Sequence, residues 1–239
     1  MENLLSILPV LATDLSLTDF TFWIGFAAML ASTMFFFSAM NLVADKWKTS
    51  MLVSALITGI AALHYYYMRN AAMEGDITTA YRYVDWILTV PLMCVEFYLI
   101  LKPSGASKGL LWKLILLSTV MLVTGYLGEA GIGPLDAQLW GLVSGIAYFA
   151  IVAEIFRGDA SKLAKSAGGN VESAHNMLCK FVLIGWAIYP IGYMIGTADG
   201  AWYSFMGNIG VEMDLVYNIG DAINKIGFGL VVYNLAVSK

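Results

Sequence analysis

With 239 residues, 59% of them hydrophobic and 13% charged, and a mean hydropathy of +0.74, the chain is too apolar for a soluble globular protein, where about 45 to 50% are apolar and about 25% charged. A formal net charge of −4, with no run of Lys and Arg that could follow phosphates, excludes nucleic acid as a partner. The lipid bilayer is the expected partner, and the length suits about seven crossings of about 20 residues within one domain.

Residues 1–19 read as an extracellular N-terminal segment. Glu2 stands where a secretory signal would carry Lys or Arg, which argues against a signal peptide; the segment reads as the trimmed remnant of one or as a short segment lying along the membrane surface. Seven apolar stretches follow, at 20–43, 50–69, 79–101, 108–128, 136–156, 174–196 and 213–237. The connections alternate in charge. Lys46 and Lys48, then Lys102, Lys108 and Lys113, then Arg157, Lys162, Lys165 and Lys180 fall on one side, with Lys239 at the end. Asp14, Asp19, Glu74, Asp76, Glu129, Asp136, Asp199, Glu212 and Asp214 fall on the other. Cations mark the cytoplasmic side. The chain is therefore expected to be an all-α membrane protein, a seven-transmembrane-helix bundle over 20–239 with its N-terminus outside and its C-terminus cytoplasmic. The polar stretch from Arg157 to Ser173 reads as a mobile cytoplasmic loop, and 197–210 as a short hairpin or an interfacial segment. Cys94 and Cys179 lie in apolar segments without CxxC or metal-ligand spacing, so they read as small buried hydrophobes and no metal is expected.

Two spans carry charge at membrane depth. In the third, Arg82, Asp85, Thr89 and Glu96 stand three, four and seven apart and fall near one stripe of a helix. Glu96 lies roughly 16 Å further in than Asp85 at 1.5 Å per residue. Singly, Arg82 could snorkel outward, Thr89 could bond its own backbone, and Glu96 could reach inner headgroups; together they read as a polar path across the membrane. Pro91, inside the same helix, is expected to bend it. In the last span Asp221 and Lys225 are four apart, on one helix face. That pair could be no more than glue between helices. With Asp85 on another helix at similar depth, it is also a site for a buried cation held by two carboxylates. A free lysine would fill it, and so would an aldehyde condensed with the lysine as a protonated Schiff base.

The segments Arg82-Tyr83-Val84-Asp85-Trp86-Ile87-Leu88-Thr89-Val90-Pro91-Leu92, Glu96-Phe97-Tyr98-Leu99-Ile100, Gly185-Trp186-Ala187-Ile188-Tyr189-Pro190 and Asp221-Ala222-Ile223-Asn224-Lys225 resemble the signature segments of the microbial rhodopsins, and within them the proteorhodopsins. Leu63-His64-Tyr65, Gly128-Glu129-Ala130-Gly131 and Lys46-Trp47-Lys48-Thr49-Ser50 agree with the same family. The resemblance runs from about Phe22 to the end and implies a light-driven outward proton pump of the bacterial inner membrane, a transporter rather than an enzyme. It implies that Lys225 carries all-trans retinal as a Schiff base, with Asp85 the proton acceptor, Asp221 a second counter-ion, Glu96 the cytoplasmic proton donor and Arg82 on the release path. Asp85, Thr89 and Glu96 match the triplet of the proton pumps, and Trp86, Trp186, Tyr189 and Tyr193 match the aromatic box around the polyene. Met93 falls at a colour-tuning position and implies green absorption. Tyr148 stands where many relatives have Trp, and Gly141 where some have Phe; a glycine there can leave a window for an antenna carotenoid. His64 matches the histidine that tunes the acceptor acid, with a hydrogen bond to Asp85 expected. Trp23 matches a residue that meets this histidine from a neighbouring protomer, in a homo-oligomer that the family makes as a pentamer or hexamer.

Two other functions fit a seven-helix chain. A photosensory rhodopsin signalling through a partner protein would usually lack an acid at Glu96, and a receptor or carrier with an unmodified Asp221 and Lys225 would stay colourless with retinal.

Overall fold

The computed structural model describes residues 16–197, 202–206 and 212–238. Among these the chain forms α1 (Leu17–Ala39), α2 (Asp45–Met73), α3 (Thr79–Leu101), α4 (Lys108–Glu129), α5 (Ala137–Arg157), α6 (Asp159–Ala167), α7 (Gly169–Leu183), α8 (Ile188–Gly196) and α9 (Met213–Val237). The seven passes are α1 to α5, then α7 and α8 together, then α9. Most of the segment 1–19, residues 198–201 and 207–210 of the expected hairpin, and residue 211 lie outside the described residues; Ser204–Met206 form one 3-10 turn.

Local chemistry sets where the passes begin. Ser16 and Asp19 make a reciprocal capping box at the start of α1, so that pass opens at Leu17 rather than at residue 20. Ser107 accepts from the Leu110 amide to start α4, and Asp136 from the Leu139 amide to start α5. Helix α3 runs through Pro91 without interruption.

Among the described residues, six passes are long and apolar enough to cross a membrane. Helix α9 has the length, 25 residues, but Asn218, Asp221, Asn224 and Lys225 dilute its apolar content, and all four are buried. The bundle is polar in its middle and apolar outside. Leu30, Met34, Phe35 and Phe37 of α1 are exposed, while Arg82, Asp85, Thr89 and Glu96 of α3 are buried. That distribution suits lipid, where the outer face needs no polar atoms and the helices satisfy their own backbones.

The connection after α5 corrects the sequence reading. The stretch from Arg157 to Ser173 is not a mobile loop: α6 occupies Asp159–Ala167 and α7 already begins at Gly169. A buried carboxylate explains it. Glu154 Oε1 accepts from the Asp159 and Ala160 amides at 2.7 and 3.2 Å, which caps the start of α6 from the last turn of α5. Glu154 Oε2 takes the Lys113 ammonium at 2.6 Å, and Ala160, Ser161 and Ala164 turn inward. Gly168 and Gly169, with φ of 62° and 52°, supply the left-handed turn into α7.

The sixth pass is broken. Helix α7 stops at Leu183, a 3-10 turn covers Gly185–Ala187, and α8 starts at Ile188. Pro190 sits in the first turn of α8, where a missing amide costs little. Tyr148 of α5 donates its hydroxyl to the Val182 and Leu183 carbonyls at 3.0 and 3.2 Å, catching the end of α7. Asn224 of α9 donates to the Gly185 carbonyl at 2.9 Å, so closely that a Cβ on Gly185 would stand 1.9 Å from the Asn224 oxygen.

Candidate functional site

Helices α3 and α9 meet at one amine. Lys225 Nζ pairs with Asp85 Oδ2 of α3 and, at 2.6 Å, with Asp221 Oδ2 one turn back on α9. All three side chains are almost fully buried. Taking an ammonium and a carboxylate out of water costs several kcal/mol per ion, and the cost is met only when partners surround the charges. Asp221 is well supplied, since Tyr189 donates its hydroxyl to Oδ1 at 2.8 Å. Asp85 is not: its Oδ1 is buried with no hydrogen-bond partner. The two acids thus share one cation but differ at their second oxygen.

Thr89, one turn further along α3, donates to the Asp85 backbone carbonyl at 2.9 Å, so its hydroxyl bonds the backbone rather than the carboxylate. The expected hydrogen bond from His64 to Asp85 is not formed. His64 Nδ1 lies 2.9 Å from the Ile60 carbonyl one turn back on α2. A carbonyl can only accept, so Nδ1 carries the hydrogen and is spent on its own helix.

Arg82 does not snorkel. It is 3% exposed and donates Nε and Nη2 to Asp214 Oδ1 at 3.1 and 2.8 Å, and Nη2 to Asn218 at 2.9 Å. Thr78 donates to Asp214 at 3.0 Å, and Asn218 donates to Thr21 at 3.0 Å. The guanidinium also lies over the rings of Phe22 and Tyr217 at 5.3 and 5.2 Å. On the other side of the lysine, Glu96 is fully buried; Ser54 of α2 donates to its Oε1 at 3.0 Å, and Oε2 has no partner.

A cavity of about 540 Å³ opens among α3, α4, α5 and α8, within the usual range for a small-molecule site of about 300 to 1,000 Å³. Trp86, Tyr148, Trp186, Tyr189 and Tyr193 are on its wall. Met93 is buried but is not on that wall. Trp86 and Tyr189 meet edge to face at 4.8 Å, and the Tyr189 hydroxyl joins this aromatic wall to the Asp221 and Lys225 pair. An apolar, ring-lined cavity whose Tyr189 wall is joined by one hydrogen bond to a buried amine held between two acids fits retinal: the walls suit a polyene, and the amine is the group an aldehyde condenses with.

Sequence reading did not single out Ser54, Tyr65, Asn218 or Asn224, nor the α4 and α5 side of the cavity at Met121, Gly125 and Ser144. A signal for part of this existed. Asp214, Asn218, Asp221 and Lys225 form a polar stripe on α9 at helical spacing, and Asp214 was read only as an outside acid. Ser54 and the α4 residues had none, because a serine or a glycine in an apolar helix is ordinary.

Residues 16–239 match the family model described as bacteriorhodopsin-like protein. The chain is 44% identical over 231 residues to the green-light absorbing proteorhodopsin of Gamma-proteobacterium EBAC31A08, covering 95% of this chain and 90% of that one. Among solved structures it is similar to Exiguobacterium sibiricum rhodopsin, with a TM-score of 0.78 and 34% identity over 92% of this chain and 95% of that one. It is also similar to xanthorhodopsin, described as a light-driven ion pump with dual chromophore, with a TM-score of 0.77 and 32% identity over 92% of each chain.

Proposed function

The chain belongs to the bacteriorhodopsin-like family of retinal proteins, and from that premise we infer that it is a light-driven outward proton pump, a transporter and not an enzyme. The observation that carries this reading is the Lys225 amine held between acids from two helices, with a further buried acid, Glu96, deeper on the same helix as Asp85. Lys225 would hold retinal through Nζ as a Schiff base, and the bound chromophore would supply the light absorption and the change of shape.

The protein's own residues supply direction. Asp85, with one oxygen against Nζ and the other unpartnered, takes the proton that leaves Nζ. Asp221, held by Tyr189, stays as the fixed counter-charge. Glu96 returns a proton to Nζ from the cytoplasmic side, and Ser54 holds its carboxyl in place. Arg82, engaged with Asp214 and Asn218, lies on the way out. Trp86, Trp186, Tyr189, Tyr193 and Tyr148 confine the chromophore, and Thr89 steadies the backbone at Asp85. We place Met93 in a tuning role from behind the wall. His64 tunes the acceptor acid through its remaining nitrogen, Nε2, which is free of the Ile60 bond.

We infer a multi-pass protein of the bacterial inner membrane, with its N-terminus outside and a homo-oligomeric assembly, pentameric or hexameric. Trp23 is 45% exposed near the outer end of α1, which supports a place for it against His64 of a neighbour. A second chromophore, an antenna carotenoid, would lie at Gly141, which shares the cavity wall with the exposed Ile146 and Phe149.

Illumination of an unbuffered suspension of retinal-fed cells expressing the chain should acidify the medium, and a protonophore should abolish the change. Absence of acidification from coloured cells would refute the pump and leave the sensor. Glu96→Gln should keep the colour while slowing recovery of the resting pigment, on the order of a hundredfold, the usual size of a proton-transfer contribution. Flash photolysis reads it, and an unchanged recovery rate removes Glu96 as donor.

A further inference from the structure

One buried titratable side chain has no part in that cycle. His175, on α7, is 1% exposed. Its Nε2 lies 2.8 Å from the Ile155 carbonyl of α5. Since a carbonyl only accepts, Nε2 carries the hydrogen, and the neutral ring leaves a lone pair on Nδ1. That Nδ1 is buried and has no hydrogen-bond partner. Buried polar atoms are nearly always paired, and an orphan calls for a use.

The surroundings indicate which. The His175 ring meets Phe97 edge to face at 5.5 Å, and Phe97 meets Phe228 of α9 in the same way at 5.8 Å. Phe97 directly follows Glu96 in α3. His175 lies six residues into α7, roughly 9 Å from its start, and Glu96 five residues before the end of α3, roughly 8 Å. Both ends face the cytoplasm in the proposed orientation, so the two residues share a depth, with His175 packed on the residue that follows Glu96. His175 is the polar member of this aromatic group, and the break after Leu183 leaves α7 as a short separate rod.

We propose that His175 is a proton carrier on the cytoplasmic uptake path, loading at Nδ1 and reloading Glu96 after that acid has given up its proton. This rests on the reading of Glu96 as donor. The step balances. A proton from cytoplasmic water binds the Nδ1 lone pair to give an imidazolium, Nε2–H stays on the Ile155 carbonyl, and the Nδ1 proton then passes to the Glu96 carboxylate, restoring the neutral ring. The groups that bias it are Glu172 and Cys179 on its own helix, Cys179 Sγ lying 3.4 Å from Nε2, Glu154 on α5 beside Ile155, and Glu96 on α3. Glu154 is already engaged by Lys113, so Glu172 and Glu96 are the acids that favour passage of a cation.

The test uses the full-length pigment in lipid vesicles and compares His175→Phe with His175→Ala. Phenylalanine keeps the edge-to-face packing and removes the proton site. It should slow the late recovery phase about tenfold, since water partly replaces a lost relay. In His175→Ala the same slow phase should be accelerated by added imidazole. Wild-type recovery in His175→Phe would show that the ring serves packing alone, and a slow His175→Ala that imidazole does not accelerate would overturn the carrier as well. Should His175→Ala fail to accumulate, His175→Phe still decides. Glu96→Gln separates the two readings: if it is slow while His175→Phe is normal, only the carrier fails, and if it recovers normally, the donor itself is misplaced.

Discussion

Asp85→Asn should abolish net proton transport and move the visible band to the red. Asparagine keeps the shape of the side chain, so the effect is one of charge and proton affinity. The Asp85 oxygen that faces Lys225 Nζ holds positive charge at the nitrogen end of the chromophore; without it that charge spreads along the polyene and the excitation energy falls. Transport fails for a separate reason. Asp221 is the other carboxylate at Nζ, and its second oxygen already accepts from Tyr189, so it is poorly placed to take over. Light-driven acidification per mole of pigment should drop by at least about a hundredfold, while the fold persists because Lys225 keeps Asp221 as partner. Pumping at the normal rate would transfer the acceptor role to Asp221.

Lys225→Ala should give a protein with no visible band after addition of retinal and no transport at all. It should also be less stable, unlike Asp85→Asn. Removing the one cation leaves Asp85 and Asp221 in a buried site without their counter-charge, and breaking a buried pair by deleting one member costs about 3 to 5 kcal/mol. A thermal melt of the apoproteins should place Lys225→Ala well below the wild type. A coloured Lys225→Ala protein would move the point of attachment elsewhere.

Much of this was legible in the sequence, for a physical reason. Charges at membrane depth are rare enough that Arg82, Asp85, Glu96, Asp221 and Lys225 stand out against their apolar neighbours, and helical spacing alone puts the first three on one stripe. What could not be read was whatever depended on how helices pack. Arg82 and Asp214 are far apart in the chain, and only the approach of α3 to α9 makes them partners. The polar run after α5 looked like a loop because its composition is that of one; Glu154, buried in the preceding helix, turns it into α6. The hydrogen bond expected from His64 failed on rivalry within one helix, since the Ile60 carbonyl one turn back is always within reach of Nδ1. Residue type gives no warning of such competition.

The polar chain Thr21–Asn218–Arg82–Asp214–Thr78 ties α1, α3 and α9 together toward the extracellular ends of the passes. The sixth pass is held differently where its helix is interrupted, by hydrogen bonds to carbonyls: Tyr148 at Val182 and Leu183, Asn224 at Gly185, and His175 at Ile155. The two regions therefore differ in kind: charged groups knit three helices on one side of the lysine, while neutral hydrogen bonds to carbonyls hold the broken pass beside it, and hydrogen bonds to charged groups are the stronger ones.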